Sequence, residues 1–330
     1  MQSPIQPMLA RAADSIPDTG NFIFEPKWDG LRAIVFRQGG DVLIQGRDLK
    51  PLNRWFPELA KALGEVLPRG CVIDGEIVVY TPAGLDFDAV QRRAHAPESR
   101  VGWLAKEKAA SFVAFDLIAA GGRSVMALSQ GERRARLEQL LGSVSSPVYL
   151  TPATREREVA LDWLARFQGA GLDGVMAKPA DAPYQPGKRI LFKIKHAHTA
   201  DCVVAGFRWH KDGQDAVGSL LLGLYDDAGV LQHAGDITGL PAEVRKQLAE
   251  EFAPLRTAAP EGQDWEPLRP ERVCEVSFDH LQGQVFRDAA TLVRWRDDKP
   301  AAECRLDQLE VATAAELRKV FGNRKAKSTT

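Results

Sequence analysis

Short runs of β-branched and other apolar residues, each ended by glycine or polar residues, restrict the possible folds of this 330-residue chain most strongly. Dense runs of this kind are typical of strands, and Gly39-Gly40 between two of them predicts a hairpin. The predicted strands are residues 31–38, 41–47, 71–80, 111–120, 174–179 and 189–196. The predicted helices are residues 54–67, 129–141, opened by a Ser129/Glu132 capping box, and 154–171. This alternation indicates an α+β domain.

A different pattern follows residue 198. Short strands separated by glycine and aspartate turns are interrupted by one helix, at about residues 241–252. This pattern predicts a small β-barrel of the OB type, although it also fits a β-sandwich. Net charge changes at the same place, from +4 in residues 1–198 to −5 in residues 199–330. We therefore expect two domains with these bounds, and a basic, polar tail at the end of the second.

Composition excludes several classes of protein. The chain has 43 Lys and Arg against 44 Asp and Glu, so it is no polycation, although a local basic groove remains possible. Its four cysteines form no CxxC pair, which argues against a structural zinc site and a disulfide framework. The sequence has no run of 18 apolar residues, and its start does not resemble a secretory signal, so we expect a protein of a bacterial-type cytoplasm or of a nucleus.

Lys27 is the first candidate for chemistry, in EPKWDGLR. Pro26 precedes it and Asp29-Gly30 follow it, so we expect the lysine in a tight loop that enters the strand at Leu31. A lysine amine in its neutral form is a nucleophile. The alternative is an exposed lysine beside a tryptophan in a turn.

Two pairs of like-charged residues lie two positions apart on predicted strands. Period 2 puts Asp74 and Glu76 on one strand face, which suits a divalent cation or a ribose hydroxyl. It likewise puts Lys193 and Lys195 together, as a clamp for phosphate. Each pair could instead form a solvated strand face.

RWRDDK near the end repeats this spacing. Arg294 and Arg296 share a face if the segment is a strand, and Lys299 lies in the turn before Pro300. Phe115 lies in an apolar run, where it is either a core residue or a platform for a base.

The order of these segments is more specific than any one of them. KWDGLR, VIDGEIVV, FVAFDLI, LDGVMAK, LFKIK and RWRDDK follow one another from about Pro7 to Lys299. In this order the chain resembles the covalent nucleotidyltransferases, and closely the ATP-dependent DNA ligases. It looks like the short bacterial ligases of the stand-alone ligase C type, and also like the ligase module of bacterial ligase D. The resemblance implies an ATP-grasp-like nucleotidyltransferase domain followed by an OB-fold domain.

The resemblance also implies a reaction in three steps. Lys27 attacks the α-phosphate of ATP, AMP passes to the 5′-phosphate at a nick in duplex DNA, and the 3′-OH displaces AMP. Asp29 would assist that last attack. Glu25 would contact the adenine edge, and Phe115 would stack on the ring.

Further roles carry over to the remaining charged residues. Arg32 and Arg47 would bind ribose or phosphate and the nick termini. Glu76 would hold the ribose and a metal ion. Lys193 and Lys195 would hold the α-phosphate.

The second domain would supply groups for the leaving pyrophosphate, namely Arg294, Arg296 and Lys299. Asp173 stands where the family usually has glutamate, and as a metal ligand it would be one methylene shorter. The implied cofactors are ATP and Mg²⁺ or Mn²⁺. The implied partners are nicked double-stranded DNA and DNA-repair proteins, and we expect a monomer without membrane attachment.

Rival functions remain open at this point. An RNA ligase and an mRNA capping guanylyltransferase share the KxDG lysine, although KWDGLR with RWRDDK fits DNA ligases better. An NAD⁺-dependent ligase is disfavoured because its cofactor domain and zinc module have no counterpart here. Outside enzymes, the rival is a non-catalytic OB-fold accessory protein that binds nucleic acid.

Overall fold

The computed structural model describes residues 3–81, 84–142, 146–166, 172–195, 198–211, 213–258, 262–279 and 281–309. The chain separates into two compact units, with the division between residues 196 and 197. The predicted boundary after residue 198 lies two residues from this division. The predicted basic tail falls outside the described residues.

The first unit mixes twelve strands and five helices within the described residues. Its strands are β1 (Leu9–Ala12), β2 (Phe22–Trp28), β3 (Leu31–Gln38), β4 (Asp41–Gly46), β5 (Cys71–Val78), β6 (Tyr80–Thr81), β7 (Gly84–Leu85), β8 (Ser111–Ala120), β9 (Arg123–Ser124), β10 (Val148–Leu150), β11 (Leu172–Pro179) and β12 (Arg189–Ile194). Its helices are α1 (Pro57–Val66), α2 (Phe87–Ala94), α3 (Glu98–Glu107), α4 (Gln130–Leu141) and α5 (Arg157–Arg166).

Two sheets form the centre of this unit. The larger has the strand order β10-β8-β5-β3-β4, with β9 added to β8, and the smaller has the order β1-β12-β11-β2. Helices α1 and α4 cover one face of the larger sheet, where Leu63 and Leu137 pack with Val35. Phe36 and Leu191 belong to a second apolar cluster, on the side where the two sheets meet. The central strands are therefore buried on both faces, as their continuous apolar runs require.

Local signals in the sequence locate several of these elements correctly. The hairpin of β3 and β4 is confirmed, in register from Ala33–Gly46 to Gln38–Asp41. The capping box is confirmed, because Ser129 and Glu132 bond to each other's backbone N–H. The predicted helix over 154–171 is described as α5 up to Arg166, and residues 167–171 lie outside the described part.

The second unit contains strands β13 to β20 and helix α6 among its described residues. The elements are β13 (His198–Trp209), β14 (Val217–Tyr225), β15 (Leu231–Ile237), α6 (Ala242–Phe252), β16 (Glu266–Pro267), β17 (Val273–Phe278), β18 (Leu281–Gln282), β19 (Val285–Phe286) and β20 (Thr291–Trp295). Three short 3₁₀ helices are Ala253–Leu255, Ala301–Glu303 and Leu306–Leu309.

The second unit is an OB-fold. Its sheet has the order β15-β14-β13-β17-β20, and a parallel bridge between Ile237 and Ala290 joins the two outer strands. Helix α6 lies between the third and fourth long strands, and its Phe252 packs against Phe207 in the barrel core. The predicted order of an α+β domain followed by an OB-fold is the architecture of the described residues.

The four cysteines, Cys71, Cys202, Cys274 and Cys304, are buried and form no disulfide bond. Burial raises the pKa of the Cys71 and Cys274 thiols to about 12. In the part of the chain that the structure describes, no helix combines the length and apolarity that crossing a bilayer needs.

Candidate active site

Lys27 lies on a strand, and the expectation that it lies in a loop is wrong. It is the sixth residue of β2, the edge strand of the smaller sheet. An edge strand accepts Pro26 because the missing N–H interrupts no ladder on the open side. The turn into β3 begins only at Asp29, and Gly30 is required there because a Cβ would lie 2.2 Å from the Ile77 carbonyl oxygen.

One pocket of about 220 Å³ collects most of the predicted nucleotide-binding residues. The predicted residues that line it are Glu25, Lys27, Arg32, Arg47, Glu76, Phe115 and Lys193. The remaining lining residues are Pro7, Met8, Leu9, Ala10, Pro26, Trp28, Met176, Lys178, Arg189 and Leu191. These residues lie up to 186 positions apart in the chain, so the fold has brought the dispersed segments to one concave site.

Asp173 stands between two of the predicted lysines. Its Oδ2 is ion-paired with Lys27 Nζ, and its Oδ1 lies 3.6 Å from Lys195 Nζ. Only 7% of the Asp173 side chain is exposed. A carboxylate thus holds the candidate nucleophile, and it places Lys195 beside the same amine.

A buried ion pair forms one wall of the pocket. Glu25 is almost fully buried, with Oε2 2.7 Å from Lys178 Nζ and Oε1 3.3 Å from Arg134 Nη1. Burial raises the pKa of Glu25, against the opposing effect of these two cations. The Lys178 ammonium also donates to the Phe115 carbonyl oxygen at 3.0 Å. The Glu25 carboxylate is therefore held in one orientation beside the aromatic ring.

Phe115 is neither a plain core residue nor fully exposed. It is 8% exposed, and the Arg32 guanidinium lies 4.4 Å from its ring centroid. Lys178 Nζ lies 4.8 Å from the same centroid. A flat ring at a pocket wall, flanked by cations, can stack with a planar, electron-rich base.

Asp74 and Glu76 have different surroundings, although both were predicted on one strand face. Asp74 is fully buried and accepts from Arg32 Nε at 2.6 Å and Nη2 at 2.7 Å. Tyr184 donates to the same carboxylate at 2.7 Å. Asp74 therefore orients Arg32 towards the pocket. The alternative of a solvated strand face is wrong for this residue.

Glu76 is half-buried and lines the pocket itself. Burial raises its pKa to about 8, while the nearby cations Arg32 and Lys27 act in the opposite direction. Asp29 is among the charges that act on Glu76, which places the predicted third-step residue near this carboxylate. Such a carboxylate gains from a cation or a hydroxyl donor in the pocket.

A metal ion at this site would not be enclosed by protein carboxylates. Among the described residues no three His, Cys, Asp or Glu side chains are grouped as a metal site. Glu76 and Asp173 would supply one or two carboxylate ligands, and phosphate and water would supply the rest. Mg²⁺ commonly binds to nucleotide sites in this way, so the residues present fit the group.

The cations of RWRDDK lie in the second unit. The strand β20 ends at Trp295, so Arg294 and Arg296 do not continue one strand face as predicted. Arg294 pairs with Glu275 at 2.6 Å. Arg296 Nη1 and Lys299 Nζ both donate to Asp201, each at 2.8 Å.

Sequence reasoning missed three residues that hold the predicted ones. Lys178 carried a signal, since a lysine inside an apolar strand needs a buried partner. Arg134 and Asp201 carried none, because their partners Glu25 and Arg296 are 109 and 95 positions away.

Comparisons with known proteins identify the family of the chain. The family model for the ATP dependent DNA ligase domain matches residues 7–195, and that for the ATP dependent DNA ligase C terminal region matches residues 213–299. DNA ligase C2 of Mycolicibacterium smegmatis is 45% identical to this chain, in an alignment that covers 93% of this chain and 94% of that protein. DNA ligase C of Mycobacterium tuberculosis is also 45% identical, with the same coverage of both chains.

Solved structures lead to the same family. The crystal structure of the ligase domain of M. tuberculosis LigD is similar with a TM-score of 0.51 and 28% identity, over 91% of this chain and 97% of that one. A Lig E DNA ligase structure has a TM-score of 0.58 at 19% identity, over 88% and 99% of the two chains, and shares the fold. Both family models and the identity to the ligase C proteins show that the chain belongs to the ATP-dependent DNA ligases.

Proposed function

We propose that this protein seals nicks in duplex DNA with ATP, through a covalent bond between Lys27 and AMP. The observation that carries the proposal is that Lys27, Glu25, Phe115 and Arg32 line the same pocket. The relatives named DNA ligase C and C2, at 45% identity over nearly the whole chain, support it.

In the first step, the Lys27 ammonium would lose a proton to water, and the neutral nitrogen would form a bond to the α-phosphorus of ATP. The bond from that phosphorus to the bridging oxygen breaks, and pyrophosphate leaves with the electron pair. Displacement at phosphorus needs its oxygens neutralised and the nucleophile in line. Lys193, which lines the pocket, and Lys195, which lies beside Asp173, would supply this charge.

The adenosine would occupy the wall of Phe115. Its ring would stack on the phenyl face, and Glu25, held by Lys178, would accept from the exocyclic amine of adenine. A carboxylate is acceptor-only when ionised, so it would disfavour the O6 of guanine at the same position. Arg32 and Glu76 would contact the ribose, and the exposed Arg47 would contact the nick termini.

A bound Mg²⁺ or Mn²⁺ would stabilise negative charge on the phosphate oxygens. Glu76 and Asp173 are the residues that would hold it. Asp29, in the turn after β2, would assist the attack of the 3′-OH in the last step.

We further propose residues 1–198 as the adenylation domain and 199–330 as the OB-fold domain. Contacts to DNA would go mainly to phosphate, because a ligase must not select sequence. The protein would act as a monomer at the bacterial nucleoid, with repair proteins as partners that add affinity for DNA.

A sealing assay tests this proposal. A labelled duplex with one nick is incubated with ATP and Mg²⁺ or Mn²⁺, with the wild type, Lys27→Ala and the matched control Lys61→Ala, whose lysine is exposed on α1. We expect ligated product from the wild type and Lys61→Ala, and none from Lys27→Ala.

The rival functions give other results when the assay is repeated with nicked RNA or with GTP. Sealing of nicked RNA but not DNA would establish an RNA ligase, and transfer of GMP instead of AMP would indicate a capping-type enzyme. Binding of DNA without a nucleotide adduct or product would favour the accessory protein. Each of these results would overturn the proposal.

A further inference from the structure

One carboxylate in the second unit holds two of the three cations of the RWRDDK segment. Asp201, at the fourth residue of β13, accepts from Arg296 Nη1 through both oxygens at 2.8 and 2.9 Å. Lys299 Nζ donates to Asp201 Oδ2 at 2.8 Å. The Asp201 side chain is 13% exposed, and those of Arg296 and Lys299 are 18% and 19% exposed. The three groups therefore form a compact cluster that is mostly shielded from water.

The backbone of Asp201 is fixed independently of these cations. Its N–H donates to Gln308 Oε1 at 3.0 Å, and its carbonyl oxygen accepts from Gln308 Nε2 at 3.2 Å. Asp201 also lies in register with Glu275 of β17, which lies in register with Arg294 of β20. Because the carboxylate is anchored in this way, it sets where Arg296 and Lys299 point.

The charges of the cluster balance. Arg294 pairs with Glu275, and the remaining Nε and Nη2 donors of Arg296 lie 2.9 Å from the exposed Asp298. Three cations thus face three carboxylates. Such a cluster does not attract a polyanion through net charge, so the direction of its donors decides whether it engages phosphate.

We propose that Asp201 is a positioning residue, which holds Arg296 and Lys299 in the orientation that engages the leaving pyrophosphate in the first step. This inference rests on the proposed function and on the contact with pyrophosphate that the resemblance to DNA ligases implies for the two cations. Asp201 itself forms no bond to the nucleotide. When the bond from the α-phosphorus to the bridging oxygen breaks, the charge that appears on pyrophosphate meets donors already in place.

If Asp201 only neutralised positive charge, its removal would change the adenylation rate in the opposite direction. If Asp201 only offset positive charge, Asp201→Asn would add one net positive charge and would strengthen the attraction of ATP. If Asp201 positions the cations, the same variant slows adenylation although the net charge has become more favourable. The last step involves no pyrophosphate, so positioning leaves it unchanged.

The experiment uses the full chain after removal of bound AMP with pyrophosphate. It measures the rate of adduct formation and the KM for ATP, and separately the sealing of a nick that already carries AMP on its 5′-phosphate. The variants are Asp201→Asn, Asp201→Glu and the matched control Asp236→Asn, whose carboxylate pairs with Arg208 at 3.2 Å in the same unit.

For Asp201→Asn we expect the adenylation rate at saturating ATP to fall on the order of 10- to 100-fold. Sealing of the pre-adenylated nick stays within about twofold of the wild type, and Asp236→Asn changes neither step. Asp201→Glu keeps the charge but moves the oxygens by one methylene, so its adenylation rate lies between those of the wild type and Asp201→Asn. It carries the test if Asp201→Asn does not fold.

Adenylation by Asp201→Asn at the wild-type rate or faster would overturn the inference. An equal loss in both steps, accompanied by a lower melting temperature, would also overturn it, because it would show a structural role only. Failure of the wild type to form any adduct would instead refute the proposed function, so the two failures are distinguishable.

Discussion

Glu76→Gln is expected to stabilise the nucleotide-free protein at alkaline pH. Burial raises the pKa of Glu76 from 4.5 to about 8. Between these two values the unfolded chain releases the proton while the folded protein retains it. The contribution of protonated Glu76 to the free energy of unfolding is therefore fully present below pH 4.5. It is lost as pH rises through about 8, by about 1.36 kcal/mol per pH unit. A glutamine at this position carries no such cost.

The size of the effect follows from the same pKa. From pH 5.5 to 8 the full difference would be about 3.4 kcal/mol. Because the side chain is only half-buried, water screens part of it, and we expect about 2 kcal/mol. Urea unfolding of the AMP-free protein without divalent cation measures it, as the difference between Glu76→Gln and the wild type at each pH.

Glu65→Gln on α1 is the matched control, because Glu65 is exposed. Its difference from the wild type should stay constant across the range. If the difference between Glu76→Gln and the wild type is equally flat from pH 5.5 to 8.5, the burial argument for this carboxylate is refuted.

Three further perturbations test the fold and the site. Gly75→Ala places a Cβ 2.4 Å from the Phe112 ring, so the free energy of unfolding in urea should fall by about 2–3 kcal/mol. The control Gly40→Ala, whose Cβ would have no atom within 4 Å, should change it by less than about 0.5 kcal/mol. Equal effects of the two variants would contradict the packing. Lys178→Met removes the ion pair with Glu25 and leaves that buried carboxylate only the Arg134 contact at 3.3 Å, so the free energy of unfolding should fall by about 3 kcal/mol. An unchanged value would refute the stabilising role of the Glu25–Lys178 pair. Because Asp173 is one methylene shorter than glutamate, and Mg²⁺ demands stricter octahedral geometry, Mn²⁺ should support adenylation at least as well as Mg²⁺; a clear preference for Mg²⁺ in parallel titrations would contradict this.

Elements with local signals could be predicted from the sequence. The hairpin of β3 and β4 and the Ser129 capping box depend on residues a few positions apart, and both are confirmed. The prediction that Lys27 lies in a loop was wrong because a proline such as Pro26 indicates a turn unless the strand is known to lie at a sheet edge. Edge position is a property of the assembled sheet, so no local pattern contains it.

The pocket residues divide in the same way. The type and order of the charged segments pointed to Glu25, Lys27 and Phe115, which the fold brings together. The partners that orient them could not be predicted, because the Glu25–Arg134 contact depends on tertiary packing over 109 positions. A buried carboxylate must find such partners, but the sequence does not say which cations will reach it.

The intact mass of the protein tests the central claim most directly. The AMP-free wild type and Lys27→Ala are incubated with a divalent cation and ATP, GTP or NAD⁺, and the adduct is mapped to a peptide. We predict a gain of one AMP from ATP alone, on the peptide that contains Lys27, and no gain in the variant. An unmodified wild type, or an adduct that persists in Lys27→Ala, would contradict the account.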